Sequence, residues 1–171
     1  MTSLVIEWCQ TADPDLIDTL THFFVSHINP SYISHSELQS GRAITTDQWH
    51  NNIPEFIRND FIEALIVNND PTPSIATARD DSGALIGLVI ISFPDRRFEH
   101  TKFAVVDDVV VSPYARGLGV GKKLIAWIAG HLKAAGIQRL FLESGVNNHG
   151  AHTFFEQQGF KQVSLTMMRE L

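Results

Sequence analysis

Residues 107–122, Asp-Asp-Val-Val-Val-Ser-Pro-Tyr-Ala-Arg-Gly-Leu-Gly-Val-Gly-Lys, constrain the fold more than any other stretch of the chain. A β-branched run stops at a Ser-Pro turn, an arginine follows, and glycine then occupies every second position. Leu124, Ile125, Ile128 and Leu132 continue at helical spacing. The order predicts a strand, a glycine loop and a helix. Bare backbone N–H groups and the positive end of the helix dipole converge at such a loop. Gly117, Gly119 and Gly121 remove the side chains that would hold a ligand away. A junction of this kind is an anion cradle.

Two common phosphate loops do not fit it. A Walker loop needs glycine where Arg116 stands and Ser or Thr where Lys123 stands. A dinucleotide fingerprint needs its third glycine at the position of Lys122. The pattern Arg116-x-x-Gly119-x-Gly121 instead resembles the pyrophosphate-binding motif of the GNAT N-acetyltransferases. A second signature follows in that family's order. Arg139–Ser144 reads as a strand, and Asn148-x-x-Ala151-x-x-Phe154-Phe155-Glu156-x-x-Gly159-Phe160 reads as a short helix closed by glycine. This is similar to the second GNAT motif. The resemblance is specific over residues 103–171 and topological before them. Within the family, the wording of 107–160 is closest to small-amine acetyltransferases of the aminoalkylphosphonate type.

The resemblance implies a single α/β domain over residues 1–171. It would have a mixed, mostly antiparallel central sheet, flanking helices and strands splayed at an acetyl-CoA site. It also implies that the backbone of Val109, Val110 and Val111 pairs with the pantetheine arm as an added strand would. Arg116, Gly117, Leu118, Gly119, Val120, Gly121 and Lys122 would hold the pyrophosphate. Asn148 would hydrogen-bond the pantetheine near the thioester, and Phe155 would line the same site. Phe155 departs from the pattern, because the family usually carries a tyrosine there as general acid toward the departing thiolate. Only Tyr32 and Tyr114 occur in the chain, and neither aligns with it.

Amide formation from a thioester needs a neutral amine, and an alkyl amine of pKa about 10.4 is neutral in only about one molecule in a few thousand at pH 7. A base, or a water leading to one, would raise that fraction. By resemblance, Asp107 stands where some members carry a catalytic glutamate. Strict strand alternation would put Asp107 on one face with Val105 and Val109, and Asp108 on the other. Glu143 on the neighbouring strand is the second candidate base, and His152 a candidate relay. A structural acid pairing with a loop or a cation is the competing role for Asp107.

Charge divides unevenly. Residues 1–100 carry 5 basic and 14 acidic side chains, whereas residues 101–171 carry 8 and 5. The basic part suits a polyanionic coenzyme A, the acidic part a cationic amine. The acidic total speaks against nucleic acid as a partner. No apolar run approaches the roughly 20 residues needed to span a bilayer, and the first residues do not read as a signal peptide. A single cysteine, Cys9, suits a reducing cytoplasm and reads as a buried small hydrophobe. His35, His50 and His100 lack metal-ligand spacing, so no metal is expected.

Along the chain, Leu4–Cys9 reads as a strand, and Asp13-Pro14 caps a helix reaching about His27. Residues 34–68 read as helical pieces broken near Gly41 and Pro54, with Pro71-Thr-Pro73 ending that region. Residues from about 28 to 70, with Tyr32, Trp49 and Phe56, are the expected substrate side. Ser74–Arg79 and Leu85–Phe93 form a hairpin about Asp80-Asp81-Ser82-Gly83. Phe103–Ser112 is expected as the central strand, Gly119–Ala135 as the long helix and Val163–Arg169 as a final strand. The leading functional reading is an acetyl-CoA-dependent N-acetyltransferase of a small primary amine, compatible with a homodimer. A peptide or protein N-acetyltransferase, a non-catalytic acyl-CoA-binding module and a toxin acting on charged tRNA are the alternatives.

Overall fold

The computed structural model describes residues 4–9, 13–67, 74–94 and 102–171. The chain forms two compact units, Met1–Ile28 with Asn52–Glu143, and Asn29–Asn51 with Ser144–Leu171. Pro71-Thr-Pro73 and His100 lie outside the described residues.

The larger unit is built on a five-stranded sheet in the order β1-β4-β5-β6-β7. These strands are Val5–Trp8, Ile75–Arg79, Leu85–Ser92, Phe103–Val111 and Arg139–Leu142. All neighbours are antiparallel except β6 and β7, which are parallel. A parallel pair needs a crossover, and α4 (Val120–Ala134) supplies it. Strand β6 is therefore not the middle of the sheet, as expected from sequence; β5 is.

Helix α4 covers one face. Its Val120, Leu124 and Ile128 join a buried cluster with Ala76, Ala78, Val89, Ile91, Ala104 and Val106. Gly87 allows that approach, since a Cβ there would lie 2.6 Å from Leu124 Cδ1 and 3.2 Å from Ala78 Cβ. On the other face α1 (Pro14–His27) packs against β5 and β6 and against α3 (Ile53–Ile62). Asp13 caps α1 as expected, accepting from the Asp15 N–H at 3.0 Å. Pro54 lies in the first turn of α3 rather than breaking a helix, because the first turn needs no amide donor there.

The smaller unit holds α2 (His35–Ser40), a short hairpin of β2 (Ala43–Thr45) and β3 (Gln48–Trp49), and α5 (His149–Gln157). The hairpin corrects the expectation of helix through residues 43–49. Gly41, left-handed at φ 78°, ends α2, and Ala43-Ile44-Thr45 is a β-favouring run. Helix α2 starts with a reciprocal cap, in which Glu37 Oε2 accepts from the Ser34 N–H at 2.7 Å. The expected strand Val163–Arg169 is absent: residues 160–171 carry no strand or helix. Among the described residues no helix is long and apolar enough to cross a membrane.

Candidate active site

The glycine loop folds as its chemistry requires. Pro113–Ala115 makes one 3-10 turn, and Arg116 leaves it in extended conformation. Gly117 and Gly119 both take positive φ, 77° and 78°, which L side chains resist. A Cβ at either position would meet nothing within 4 Å, so the space before them is open. Gly119 is the N-cap of α4 and supplies no side-chain hydrogen bond. The Lys123 N–H is bonded to Gly119 O at 3.0 Å, while the N–H groups of the first helical residues point out of the helix end. Arg116, Lys122 and Lys123 are exposed at or near this end and make no ion pair among the described residues. Open backbone donors, a helix N-terminus and an exposed guanidinium fit a pyrophosphate.

Strand β6 carries a bulge at the acids. Ile90 lies opposite Asp108 and Ile91 opposite Val106, leaving Asp107 as the extra residue. The bulge overturns the expected alternation. Val106 faces the α4 cluster with Ile91, whereas Asp108 shares the opposite face with Ile90. Ser92 pairs with Val105 on that opposite face, and its Oγ donates to Asp107 Oδ1 at 2.9 Å. Both acids therefore turn away from α4, and Val109, formerly grouped with Asp107, faces α4. Burial separates the acids instead: Asp108 is 2% exposed, and Asp107 lies open to solvent.

The ladder between β6 and β7 runs from Phe103–Arg139 to Val106–Leu142 and stops at the bulge. Strand β6 continues against β5 through Val109, Val110 and Val111. Glu143 falls just beyond the end of β7, one residue past the last ladder pair, and is exposed.

Asn148 and Phe155 belong to the smaller unit. Asn148 is the N-cap of α5, with no capping bond from its side chain. Its N–H donates to Gly145 O at 2.9 Å, and His152 Nε2 donates to the same oxygen at 2.9 Å. His152 thus pins the start of α5. Phe155 sits in the closing motif of that helix: Phe160 N–H donates to Phe155 O, Gly159 N–H to Glu156 O, and the rings of Phe155 and Phe160 meet edge-on at 5.7 Å. The rings of Tyr32 and Trp49 lie 6.3 Å apart. Trp49 Nε1 and Ser144 Oγ are buried without a hydrogen-bond partner among the described residues.

Sequence reasoning missed Ser92, which only the strand register brings to Asp107, and Gly145. A Cβ on Gly145 would lie 2.4 Å from Ile33 O and 2.5 Å from Ser31 O. The glycine in Ser144-Gly-Val146 was the available signal. Cys9 is half-buried, and burial pushes its thiol pKa up against the opposing pull of Thr77 and Arg79. Among the described residues no cluster of His, Cys, Asp or Glu could hold a metal ion.

The model of the acetyltransferase (GNAT) family matches residues 38–160. The chain belongs to the GNAT acetyltransferases. As a member of that family it is an N-acetyltransferase, and the family implies acetyl-CoA as acyl donor. The aminoalkylphosphonate N-acetyltransferase of Salmonella typhimurium is 24% identical over 141 residues, covering 79% of this chain and 91% of that protein. The fold matches aminoglycoside N-acetyltransferase AAC(6')-Iy in complex with CoA, with a TM-score of 0.64 at 15% identity over 100% of this chain and 96% of that one. It also matches ribosomal-protein-alanine N-acetyltransferase from Brucella melitensis, with a TM-score of 0.62 at 15% identity over 100% of both chains.

Proposed function

We propose that this GNAT acetyltransferase moves an acetyl group from acetyl-CoA to the primary amine of a small molecule, as a single N-acetyltransferase domain working in the cytoplasm. The observation that carries the donor half is the glycine loop, with Gly117 and Gly119 left-handed before open space at the start of α4. The match of this chain across 91% of an aminoalkylphosphonate N-acetyltransferase supports the small amine. The acidic excess of residues 1–100 suits a cationic acceptor.

Acetyl-CoA supplies an acyl group already activated as a thioester. Residues Arg116–Lys122 bind its pyrophosphate through backbone N–H groups and the Arg116 guanidinium. The backbone of Val109, Val110 and Val111 orients the pantetheine arm, a role supported by the end of the β6–β7 ladder at Val106. By the family resemblance, Asn148 and Phe155 are the further candidates for contact with acetyl-CoA. Asp107 takes the amine proton on a carboxylate oxygen, directly or through a water. Support for Asp107 over Asp108 comes from exposure, since a carboxylate at 2% exposure cannot reach an incoming amine. Glu143 is the second base. Residues 28–70 receive the amine, with Tyr32 and Trp49, whose indole N–H has no partner among the described residues, among them.

The test is thiol release from acetyl-CoA measured with a panel of aminoalkylphosphonates, other small primary amines and peptide N-termini. Turnover with the small amines is the expected result. Turnover with peptides alone moves the activity to protein acetylation, and binding of acetyl-CoA without turnover on any acceptor leaves a binding module.

A further inference from the structure

Asparagine at a helix N-cap usually spends its side chain on the free N–H groups of the first turn. Asn148, the N-cap of α5, does not, for its amide makes no capping bond. Its backbone is nonetheless held on both sides. The Asn148 N–H donates to Gly145 O at 2.9 Å, and the Asn148 carbonyl accepts from the His152 N–H at 3.1 Å. Val146 and Asn147 between them are exposed, so the turn is held from Gly145 and from α5.

His152 takes over the capping. From one turn into α5 its half-buried ring reaches back, and Nε2 lies 2.9 Å from Gly145 O, the oxygen that also holds the Asn148 N–H. A carbonyl only accepts, so Nε2 carries the proton, and it does so in the neutral ring and the imidazolium alike. The shared oxygen is a fixed point. Gly145 is buried, and a Cβ there would lie 2.4 Å from Ile33 O and 2.5 Å from Ser31 O, which seats its backbone against residues 31–33. All of these residues belong to the smaller unit.

We propose that His152 is a positioning residue for acetyl-CoA: its bond to Gly145 O stands in for the side-chain cap of α5 and leaves the Asn148 amide to meet the coenzyme. The inference rests on the contact between Asn148 and acetyl-CoA proposed above. An amide folded onto its own helix end is oriented by the helix, whereas an uncapped one can turn to a ligand. The backbone from which it turns must still be fixed, and His152 fixes it through Gly145. This role differs from that of a proton relay, because the Nε2 proton is the one that holds the turn.

Calorimetric titration of the full chain with acetyl-CoA tests it, on His152→Phe, His152→Gln, Asn148→Ala and the double variant Asn148→Ala/His152→Phe, each below its melting temperature. His152→Phe and Asn148→Ala should each weaken binding about three- to tenfold, the range of one net hydrogen bond. The double variant should bind within about twofold of the weaker single variant, because both changes remove the same contact. His152→Gln keeps an N–H donor of similar reach and should stay within about twofold of the parent. A His152 that only stabilises the fold would lower the melting temperature and leave affinity unchanged. Parental affinity in His152→Phe overturns the inference, as do single losses that multiply in the double variant or a glutamine that restores nothing. Where His152→Phe does not fold, nitrogen NMR of the parent decides: a neutral ring protonated on Nε2 upholds the inference, and one protonated on Nδ1 overturns it. Parental affinity in Asn148→Ala removes the contact on which the inference rests, and Gly121→Glu in the same titration then shows whether the loop still holds acetyl-CoA. A parent that does not bind acetyl-CoA overturns the proposed function, and this inference with it.

Discussion

Gly145→Ala asks whether close backbone packing holds the start of α5. The added Cβ would stand 2.4 Å from Ile33 O and 2.5 Å from Ser31 O, whereas ordinary contact begins near 3.4 Å. The strand of chain at 31–33 must therefore retreat by about 1 Å. These neighbours are backbone carbonyls, which cannot rotate aside as a side-chain tip would. Gly145 is not among the glycines of positive φ, so its own backbone does not forbid alanine and the clash acts alone. Overpacking of this kind costs about 1–3 kcal/mol. Gly145 O also accepts from the Asn148 N–H and from His152 Nε2. Weakening those two bonds adds about 0.5–1.5 kcal/mol each. A total near 3 kcal/mol lowers Tm by about 6–12 °C for a chain of this size. Gly130→Ala is the control, since nothing lies within 4 Å of its Cβ and it sits exposed inside α4. There alanine should raise stability by about 0.5–1 kcal/mol. Thermal unfolding by circular dichroism reads both. If Gly145→Ala melts within about 2 °C of the parent, a loss of under roughly 1 kcal/mol, the packing argument is wrong.

Four further outcomes are expected. Gly121→Glu, which puts a carboxylate at the mouth of the loop, should weaken acetyl-CoA binding by at least about tenfold, or 1.4 kcal/mol; calorimetry with unchanged affinity would remove the loop from the site. Asp107→Asn should lower kcat/KM near neutrality by roughly 100-fold, and activity equal to the parent from pH 6 to 9 would deny the carboxylate any part. Phe155→Tyr should leave turnover near the parent value, because a thiol of pKa about 8.5 leaves acceptably without an acid; a gain above about tenfold would show that thiolate protonation limits the natural enzyme. Burial raises the Cys9 thiol pKa in the folded chain, so the stability it contributes is whole below the unfolded thiol value and fades as pH climbs through the folded one. Urea unfolding of the parent and Cys9→Ala should show their stability difference shrinking above about pH 9, and a difference that grows there would refute the sign.

What the sequence alone determined about this protein is local. The Ser-Pro stop, the alternate glycines and the helical stripe from Leu124 to Leu132 announced a strand, an anion loop and a helix. Each of these rests on the conformational preference of a few consecutive residues. The Asp13-Pro14 start of α1 and the Asp80–Gly83 turn were legible for the same reason. The relation between Asp107 and Asp108 was not. Alternation within β6 gave the wrong faces, because the bulge exists only as a mismatch of two residues against one on β5, and a pairing partner is not written in the strand itself. Ser92 reached Asp107 by that same register. The hairpin at 43–49 was lost among helix-like neighbours, since seven residues carry too little periodicity to outweigh them. Val163–Arg169 has the pattern of a strand and lacks the structure of one. Alternation can specify which side chains seek burial, but a strand forms only where another backbone offers hydrogen bonds, and that was left to tertiary structure to decide.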